Sequence, residues 1–175
     1  MPDFLLTTGR LYLRCLIPSD APCFYQLNAD PEVLRYTGDR PFESIAEARA
    51  FLDSYDVYER YGYGRWAVVR RFDENCLGWC GLKYSPESGE TDIGFRFFRK
   101  YWGQGYATEA AQACLDYGLQ KLGLEQIVGR AMQSNRASVR VLEKIGMRYW
   151  KYFDFNNQAG VYYRTLREHI SHDER

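Results

Sequence analysis

The chain contains 175 residues, and its 23 basic side chains balance its 23 acidic ones. This length suits one domain with its own core, so we predict a single domain over residues 1–175 with a charged, frayed tail at 167–175. The balanced charge does not favour nucleic acid or an anionic membrane as a partner. No apolar run reaches the length of about 18 residues that a membrane span needs. The amino-terminal segment lacks the features of a signal peptide, so we expect a cytoplasmic protein.

The cysteines do not have the spacing of a metal site. Cys76 and Cys80 lie four positions apart in a strand-like run, and both histidines, His169 and His172, are in the carboxyl-terminal tail. We therefore expect reduced thiols that pack as small hydrophobic side chains, and no metal.

Hydrophobic periodicity predicts strands and helices in an order that fits one mixed sheet with helices on its faces, an α/β (α+β) fold. The predicted strands are 11–16, 65–71, 77–84, 90–98, 126–132, 147–155 and 160–166. The predicted helices are one from 18 that ends before Pro31, then 44–58, 106–122 and 135–145.

The segment from Phe95 to Thr108 is the centre of the chemistry. A strand-like run leads into a turn with Gly103 and Gly105, and a helical pattern begins near Tyr106. The first N–H groups of a helix have no intrahelical partner, and the helix dipole adds positive charge there. Glycine lets a ligand approach the backbone closely. The arrangement therefore predicts an anion site, with phosphate as the usual ligand.

Three phosphate-binding patterns fit this turn to different degrees. The P-loop pattern G-x-x-x-x-G-K-[ST] does not fit, and the Rossmann pattern G-x-G-x-x-G fails at its third position, which is Thr108. The run from Lys100 to Gly105 fits the acetyltransferase pattern [QR]-x-x-G-x-[GA], with lysine in the first position. A glycine turn that only joins a strand to a helix is the alternative.

The segments YWGQGYATEA and SNRASVRVLEKIGM, with DPEVLRYTG, PFESIAEARAFL and CLGWCGL, resemble the GNAT superfamily of N-acetyltransferases, and within it the RimJ/RimL-like branch. The resemblance covers nearly the whole chain. It implies the GNAT fold: a mixed, mostly antiparallel seven-stranded sheet, about four helices and splayed central strands. Acetyl-CoA would enter the cleft from one side and the acceptor from the other.

The same resemblance implies an acetyl-CoA-dependent transfer to a primary amine by direct attack in a ternary complex. The amine would be a protein N-terminal α-amine or a small-molecule amine, and the enzyme a monomer or homodimer. A catalytically idle acyl-CoA-binding or regulatory module of the same fold is the alternative, and a nucleotide-binding α/β protein is a third hypothesis.

Contacts to coenzyme A follow from the resemblance. The backbone of Phe97 and Arg99 would pair with the pantetheine arm like an added strand. Trp102 would cover the site or fill space between helix and sheet, and Lys100 would add charge or be solvated. The diphosphate would lie on the backbone of Gly103, Gln104, Gly105, Tyr106, Ala107 and Thr108.

The second helix of the site contributes further contacts by resemblance. Asn135 matches an asparagine that contacts the pantetheine arm, and it is also a good helix N-cap. Arg136 and Arg140 would reach the 3′-phosphate of coenzyme A, or they form a solvated pair. Glu109 in the first turn of the other helix is interpreted as compensation of the helix dipole.

Acetyl transfer needs a neutral amine, a polarised carbonyl and a stabilised thiolate. Many GNAT members place a tyrosine as acid where this chain has Leu142, whereas Ser138 matches a serine of the RimJ/RimL-like branch. Ser138 would donate a hydrogen bond to the sulfur or only satisfy the helix end. Asp92, or Glu90 two residues earlier on the same strand face, would be the base. The predicted walls of the acceptor site are Tyr36, Trp66 and Tyr84.

Overall fold

The computed structural model describes residues 4–166, and within them eight strands form one sheet in the order β1-β2-β3-β4-β5-β6-β8-β7. Neighbouring strands are antiparallel except for the parallel pair β5 and β6. The mixed, mostly antiparallel sheet is confirmed, with one strand more than predicted because β1 pairs with β2. The predicted frayed tail lies outside the described residues. The strands are β1 (Phe4–Thr7), β2 (Leu11–Cys15), β3 (Arg65–Arg70), β4 (Cys76–Ser85), β5 (Glu90–Phe97), β6 (Gln126–Met132), β7 (Arg148–Phe155) and β8 (Gln158–Leu166).

The helices lie between these strands: α1 (Ala21–Leu27), α2 (Pro31–Leu34), α3 (Ile45–Asp53), α4 (Val57–Tyr61), α5 (Tyr106–Asp116), which continues as a π-helical turn, and α6 (Arg136–Lys144). The single helix predicted over 44–58 is therefore wrong, because the chain breaks between α3 and α4. The break lets two tyrosines hold the start of β3: the N–H of Arg65 donates to the Tyr55 hydroxyl at 2.9 Å, and the Tyr58 hydroxyl donates to the Arg65 carbonyl.

Two hydrophobic cores lie on opposite faces of the sheet. The larger one lies under α5 and α6 and includes Trp66, and the smaller one lies under α1 and α3 and includes Ala67. These two neighbours in β3 point to opposite faces, as expected for a strand. The prediction that Trp66 lines the acceptor site is wrong, because its side chain is 1% exposed and its ring packs edge-on against Tyr117 at 5.8 Å.

The parallel strands β5 and β6 separate soon after they meet. They pair only at Asp92–Val128 and Ile93–Gly129, although β5 continues to Phe97 and β6 to Met132. Because parallel strands end at the same edge of a sheet, a V-shaped cleft opens there. The predicted splay of the central strands is confirmed.

Within residues 4–166, no helix has the length and apolar character needed to cross a membrane. The five thiols in this range are free, and Cys80 on β4 contacts Cys114 on α5 with 3.6 Å between their sulfur atoms. Burial raises the pKa of Cys114. The described residues contain no group of side chains arranged to hold a metal ion.

Candidate active site

The turn between β5 and α5 forms one side of the cleft opening. Gly103 and Gly105 have φ angles of 71° and 82°, in the left-handed region that favours glycine. A Cβ on Gly103 would meet no atom within 4 Å, and a Cβ on Gly105 would approach only the Arg10 guanidinium, at 3.3 Å. Gly105 is the N-cap of α5 and has no side chain to cap the helix. The first N–H groups of α5 therefore have no intrahelical partner, and the two glycines leave the backbone before them open to an anion.

A residue that sequence reasoning missed holds this turn in place. Arg10, between β1 and β2, donates from Nη1 to the Gln104 carbonyl at 2.9 Å and from Nε to Glu109 at 2.7 Å, and its guanidinium lies 4.2 Å from the centre of the Tyr106 ring. The Thr8 hydroxyl also donates to Glu109 at 2.6 Å. Burial raises the pKa of Glu109, but the hydrogen bonds from Thr8 and Arg10 outweigh it, so the pKa lies below the ordinary 4.5. Glu109 is thus an ion-pair partner as well as a first-turn carboxylate.

The residues before Gly103 form the outer wall of the same turn. The Trp102 side chain is 47% exposed and its indole N–H donates to the Phe97 carbonyl at 2.9 Å. This places Trp102 across the end of β5 rather than in the core. Lys100 is exposed, with its Nζ 5.0 Å from the centre of the Tyr101 ring. Arg99 forms an ion pair with Asp30 at 3.1 Å, which ties the turn to α2.

The start of α6 lies at the same edge, because β5 and β6 are parallel and each is followed by a helix. The Asn135 side chain caps α6 by accepting a hydrogen bond from the Ser138 N–H at 3.3 Å, and its amide donates to the Ser138 hydroxyl at 3.0 Å. Leu142 is 2% exposed and packs at Gly129, where an added Cβ would lie 2.6 Å from it. The position of the usual tyrosine acid is therefore a core position here. Arg136 and Arg140 are both exposed on α6.

Asp92 lies at the closed end of the cleft, on the face opposite α5. Its side chain is buried, and Oδ2 accepts a hydrogen bond from Arg65 Nη2 at 3.0 Å. Its Oδ1 lies 3.6 Å from Arg130 Nη2 and has no hydrogen-bond partner among the residues that the structure describes. A buried carboxylate oxygen normally accepts at least one hydrogen bond. Asp92 therefore has an unused acceptor where the cleft meets the second face.

Arg65 reaches Asp92 because two glycines leave space for it. Gly81 and Gly94 are directly paired across β4 and β5, and a Cβ on Gly94 would lie 2.7 Å from Arg65 Nη2. The Arg65 guanidinium also donates to the Gly81 carbonyl at 2.6 Å and lies 5.2 Å from the centre of the Trp79 ring. This packing fixes the orientation of Asp92.

The other two residues predicted to line the acceptor site, Tyr36 and Tyr84, lie in different parts of the structure. Tyr36 is half-buried in the segment after α2, and this segment reaches the β7–β8 hairpin, because a Cβ on Gly38 would lie 3.1 Å from the Phe155 ring. Tyr84 packs against Tyr61 with ring centres 5.1 Å apart and lines a cavity of about 290 Å³ at the opposite edge of the sheet. The structure therefore does not bring Tyr84 to the cleft opening.

Comparison with known proteins agrees with this geometry. Residues 10–148 match the family model of the Acetyltransferase (GNAT) domain. A solved structure of a GNAT-family acetyltransferase from Bacillus anthracis has a TM-score of 0.81 and 28% identity, and the match covers 94% of this chain and 99% of that one. The chain therefore belongs to the GNAT acetyltransferase family.

Two curated relatives extend the comparison. The chain is 35% identical over 164 residues to the "Uncharacterized protein YkkB" of Bacillus subtilis, covering 91% of this chain and 94% of YkkB. It is 30% identical over 184 residues to the FsC-acetyl coenzyme A-N(2)-transacetylase of Aspergillus fumigatus, covering 97% of this chain and 77% of that protein. The protein is thus an enzyme, an acetyltransferase that uses acetyl-CoA.

Proposed function

We propose that this enzyme transfers an acetyl group from acetyl-CoA to a primary amine, either a protein N-terminal α-amine or the amine of a small molecule. The observation that carries the proposal is the cleft between β5 and β6, which connects two faces of different chemistry. One face presents a glycine turn and two helix N-termini, and the other presents the Asp92 carboxylate. A donor and an acceptor that approach from opposite faces meet in the cleft without a covalent enzyme intermediate.

The donor side would be held mainly by backbone. The diphosphate would lie on the N–H groups that follow Gly103 and Gly105, and the pantetheine arm would run along the end of β5 toward Asn135 and Ser138. The exposed Lys100 and Arg140 supply positive charge for the phosphates. The Ser138 hydroxyl would donate a hydrogen bond to the thiolate as it leaves, because its own pKa is too high for it to be a strong acid.

The acceptor side would be organised by Asp92. The ammonium group of the acceptor would donate a hydrogen bond to Oδ1, a buried oxygen that has no hydrogen-bond partner in the described structure, after a shift of the side chains that cover it. Loss of a proton from the amine to this carboxylate, directly or through water, would leave a nitrogen lone pair that attacks the thioester carbonyl. The C–N bond then forms and the C–S bond breaks, and the nitrogen loses its second proton to the departing thiolate, so that the products are the acetylated amine and the free thiol of coenzyme A.

Ser138 matches the serine of the RimJ/RimL-like branch and supports our proposal that the enzyme belongs to this branch. The alternative, a catalytically idle module, rests on Leu142, which stands where many other members have a tyrosine. It is not favoured, since the chain belongs to an acetyltransferase family and the FsC relative is named as a transacetylase.

The glycine turn provides a direct test. We expect coenzyme A to raise the melting temperature of the wild-type protein, by an amount that corresponds to about 2.7 kcal/mol at a concentration about 100 times Kd. Gly105→Val should remove this stabilisation, because a branched side chain disfavours the left-handed conformation and covers the N–H groups. Gly89→Val is the matched control, since Gly89 also has a positive φ of 68° and open space around its Cβ position, but lies in the β4–β5 turn.

Release of thiol from acetyl-CoA is then measured with a panel of peptide, polyamine and aminoglycoside acceptors. Amine-dependent thiol release in the wild type and in Gly89→Val would support the proposal. Unchanged coenzyme A binding in Gly105→Val would show that the cofactor is bound elsewhere. Coenzyme A binding without turnover of any amine would favour the idle module.

A further inference from the structure

The acceptor face of the sheet carries a cluster of cations on aromatic rings. Trp150 on β7 and Tyr162 on β8 pack edge-on with ring centres 5.9 Å apart. Three cationic side chains lie over these two rings. Lys151 lies 4.2 Å from the Trp150 ring centre, Arg164 lies 4.6 Å from the same centre, and Arg130 lies 5.8 Å from the Tyr162 ring centre. We call these five residues the basic platform.

The cations of the platform are poorly neutralised. Among residues 4–166, no carboxylate forms an ion pair with Lys151 or Arg164, and Arg130 has only the 3.6 Å contact with Asp92. Glu90 is the other acidic residue at the platform, where it accepts a hydrogen bond from the Tyr162 hydroxyl at 3.4 Å. Cations stacked on aromatic rings are partly desolvated and held in position, so they are prepared to bind an anion.

Other charges on the same face do not cancel this excess. Arg65 is paired with Asp92, and Arg96 is bound by Asn28 at 2.6 Å and Asp39 at 2.7 Å. Two further cations point to this face by register. Lys83 on β4 is directly opposite Asp92 on β5, and Arg148 on β7 is directly opposite Arg164 on β8. The face around the platform is therefore net positive, although the whole chain has no net charge.

The platform adjoins the proposed position of the reacting amine. Arg130 connects the two, because its guanidinium contacts Asp92 on one side and lies over Tyr162 on the other. An acceptor with its amine at Asp92 would place the group next to that amine against the platform.

We propose that the acceptor carries a carboxylate close to its reacting amine, with the amine bound by Asp92 and the carboxylate bound by Arg130, Lys151 and Arg164. This inference rests on the proposed function and gives its substrate class, an amino acid or a peptide with an acidic residue near its N-terminus. A polyamine is a poor match, because its additional ammonium groups would lie against three cations.

Pairs of acceptor amines test the inference, because the two members of each pair have the same reacting amine and differ in a carboxylate or a carboxamide. The pairs are serine with serinamide, lysine with lysinamide, and the peptide amides Ser-Glu-Ala with Ser-Gln-Ala; spermidine represents the polyamines. We expect kcat/KM to be about tenfold higher for the carboxylate member of at least one pair, as charge-assisted hydrogen bonds predict. The difference should shrink when ionic strength rises from about 0.05 to about 0.5 M. Phosphoethanolamine with ethanolamine tests phosphate as the anion.

Variants that remove a positive charge test whether the basic platform causes the preference for the carboxylate member. Arg164→Gln and Lys151→Gln should each reduce the preference for the carboxylate member, and the double variant should bring the ratio close to one. The kcat/KM of the carboxamide member should change much less than that of the carboxylate member, and the Kd of coenzyme A should not change. Lys121→Gln is the control, because it removes the same charge from an exposed position at the end of the π-helical turn after α5.

Each remaining outcome overturns a stated claim. Equal turnover of both members of every pair, a preference for spermidine, or a preference for phosphoethanolamine alone would overturn the carboxylate inference and leave the acetyl-transfer proposal intact. Absence of turnover with every amine, while coenzyme A still binds, would contradict the proposed function. In that case calorimetry with coenzyme A-loaded protein decides the inference, and a failure of the carboxylate members to bind overturns it too.

Discussion

Arg10 binds Glu109 in the first turn of α5 and also the turn that precedes this helix, although Arg10 is far away in the sequence. Its Nε atom donates to Glu109 Oε2 at 2.7 Å, and its Nη1 donates to the Gln104 carbonyl at 2.9 Å. The backbone N–H of Arg10 also donates to Glu109, at 2.8 Å. The ion pair partly neutralises a carboxylate in the first turn of α5, one turn from the expected position of a diphosphate. We therefore propose that Arg10 is a positioning residue for the turn before α5, where the cofactor would bind.

We predict that Arg10→Gln weakens coenzyme A binding as well as the fold, each by about 1 kcal/mol. The side chains of Arg10 and Glu109 are 45% and 22% exposed, so loss of their ion pair should lower the free energy of unfolding by only about 1 kcal/mol. The Kd of coenzyme A should rise about fivefold, because the turn loses its anchor and Glu109 loses its counter-charge. Urea unfolding and calorimetry measure the two effects.

Arg71→Gln is the control for that variant. Arg71 donates to the carbonyls of Thr8 and Gly9 at 2.9 and 3.1 Å, so it holds the same β1–β2 turn through bonds that do not involve the turn before α5. Its loss should leave the Kd of coenzyme A unchanged. An equal rise in Kd for both variants would show that Arg10 acts only through the β1–β2 turn.

Glu109 should make stability depend on pH in the acidic range. Its folded-state pKa is below 4.5 because hydrogen bonds from Thr8 and Arg10 outweigh the effect of burial. A carboxyl group with a lowered folded-state pKa contributes stability that is present above its unfolded pKa and lost as pH falls through the folded value. The wild type should therefore lose more stability than Glu109→Gln between about pH 5 and about pH 3.

Urea midpoints across this range test the prediction, with Glu87→Gln as a control for the loss of one exposed carboxylate in the β4–β5 turn. Parallel curves for the wild type and Glu109→Gln would contradict the assignment of the pKa shift to the folded state.

Local sequence patterns predicted most elements, because they report which face of a strand or helix is buried. The predicted strand 126–132 has the observed bounds of β6. The helix predicted over 44–58 failed, because the hydroxyls of Tyr55 and Tyr58 bind the backbone of Arg65, which is a long-range contact. The prediction that Trp66 lines the acceptor site failed for a related reason. Alternation gives the relative facing of residues in β3, but it does not show which face lies under α5.

The functional site was only partly predictable. The glycine turn before α5 and the Asn135 cap are local features with sequence signals, and the structure places both at the cleft opening. The partners of Asp92 are not local, since Arg65 and Arg130 approach it through the register of separate strands. The pair Gly81 and Gly94 was the one available signal for Arg65, because two facing glycines leave space for a large side chain.

The cap of α6 allows binding and chemistry to be separated. Asn135→Ala should lower the free energy of unfolding by about 1 kcal/mol, because it removes an N-cap. It should also raise the Kd of coenzyme A. Ser138→Ala keeps the Asn135 acceptor for the Ser138 N–H and should leave stability and Kd nearly unchanged.

If the Ser138 hydroxyl stabilises the thiolate, Ser138→Ala should lower kcat about tenfold, and Ser138→Thr should restore part of the loss. Single-turnover rates at saturating acetyl-CoA measure this step. A kcat equal to that of the wild type would assign Ser138 to the helix end alone.

The role of Asp92 is tested by comparing two carboxylates on one strand. Asp92→Asn keeps an oxygen for Arg65 but removes the negative charge at the closed end of the cleft, where Oδ1 has no hydrogen-bond partner in the described structure. We expect kcat/KM for the amine to fall about 100-fold, as for loss of a general base. Glu90→Gln, on the same face two residues earlier, should cost far less, because Glu90 lies beyond the closed end, near Tyr162. The Kd of coenzyme A should be unchanged in both, since neither carboxylate is on the α5 face.

Melting temperatures identify any general loss of folding, because breaking a buried ion pair can cost about 3–5 kcal/mol. If folded Asp92→Asn turns over normally while Glu90→Gln does not, the base is Glu90, and the amine lies closer to Tyr162 than to Arg65.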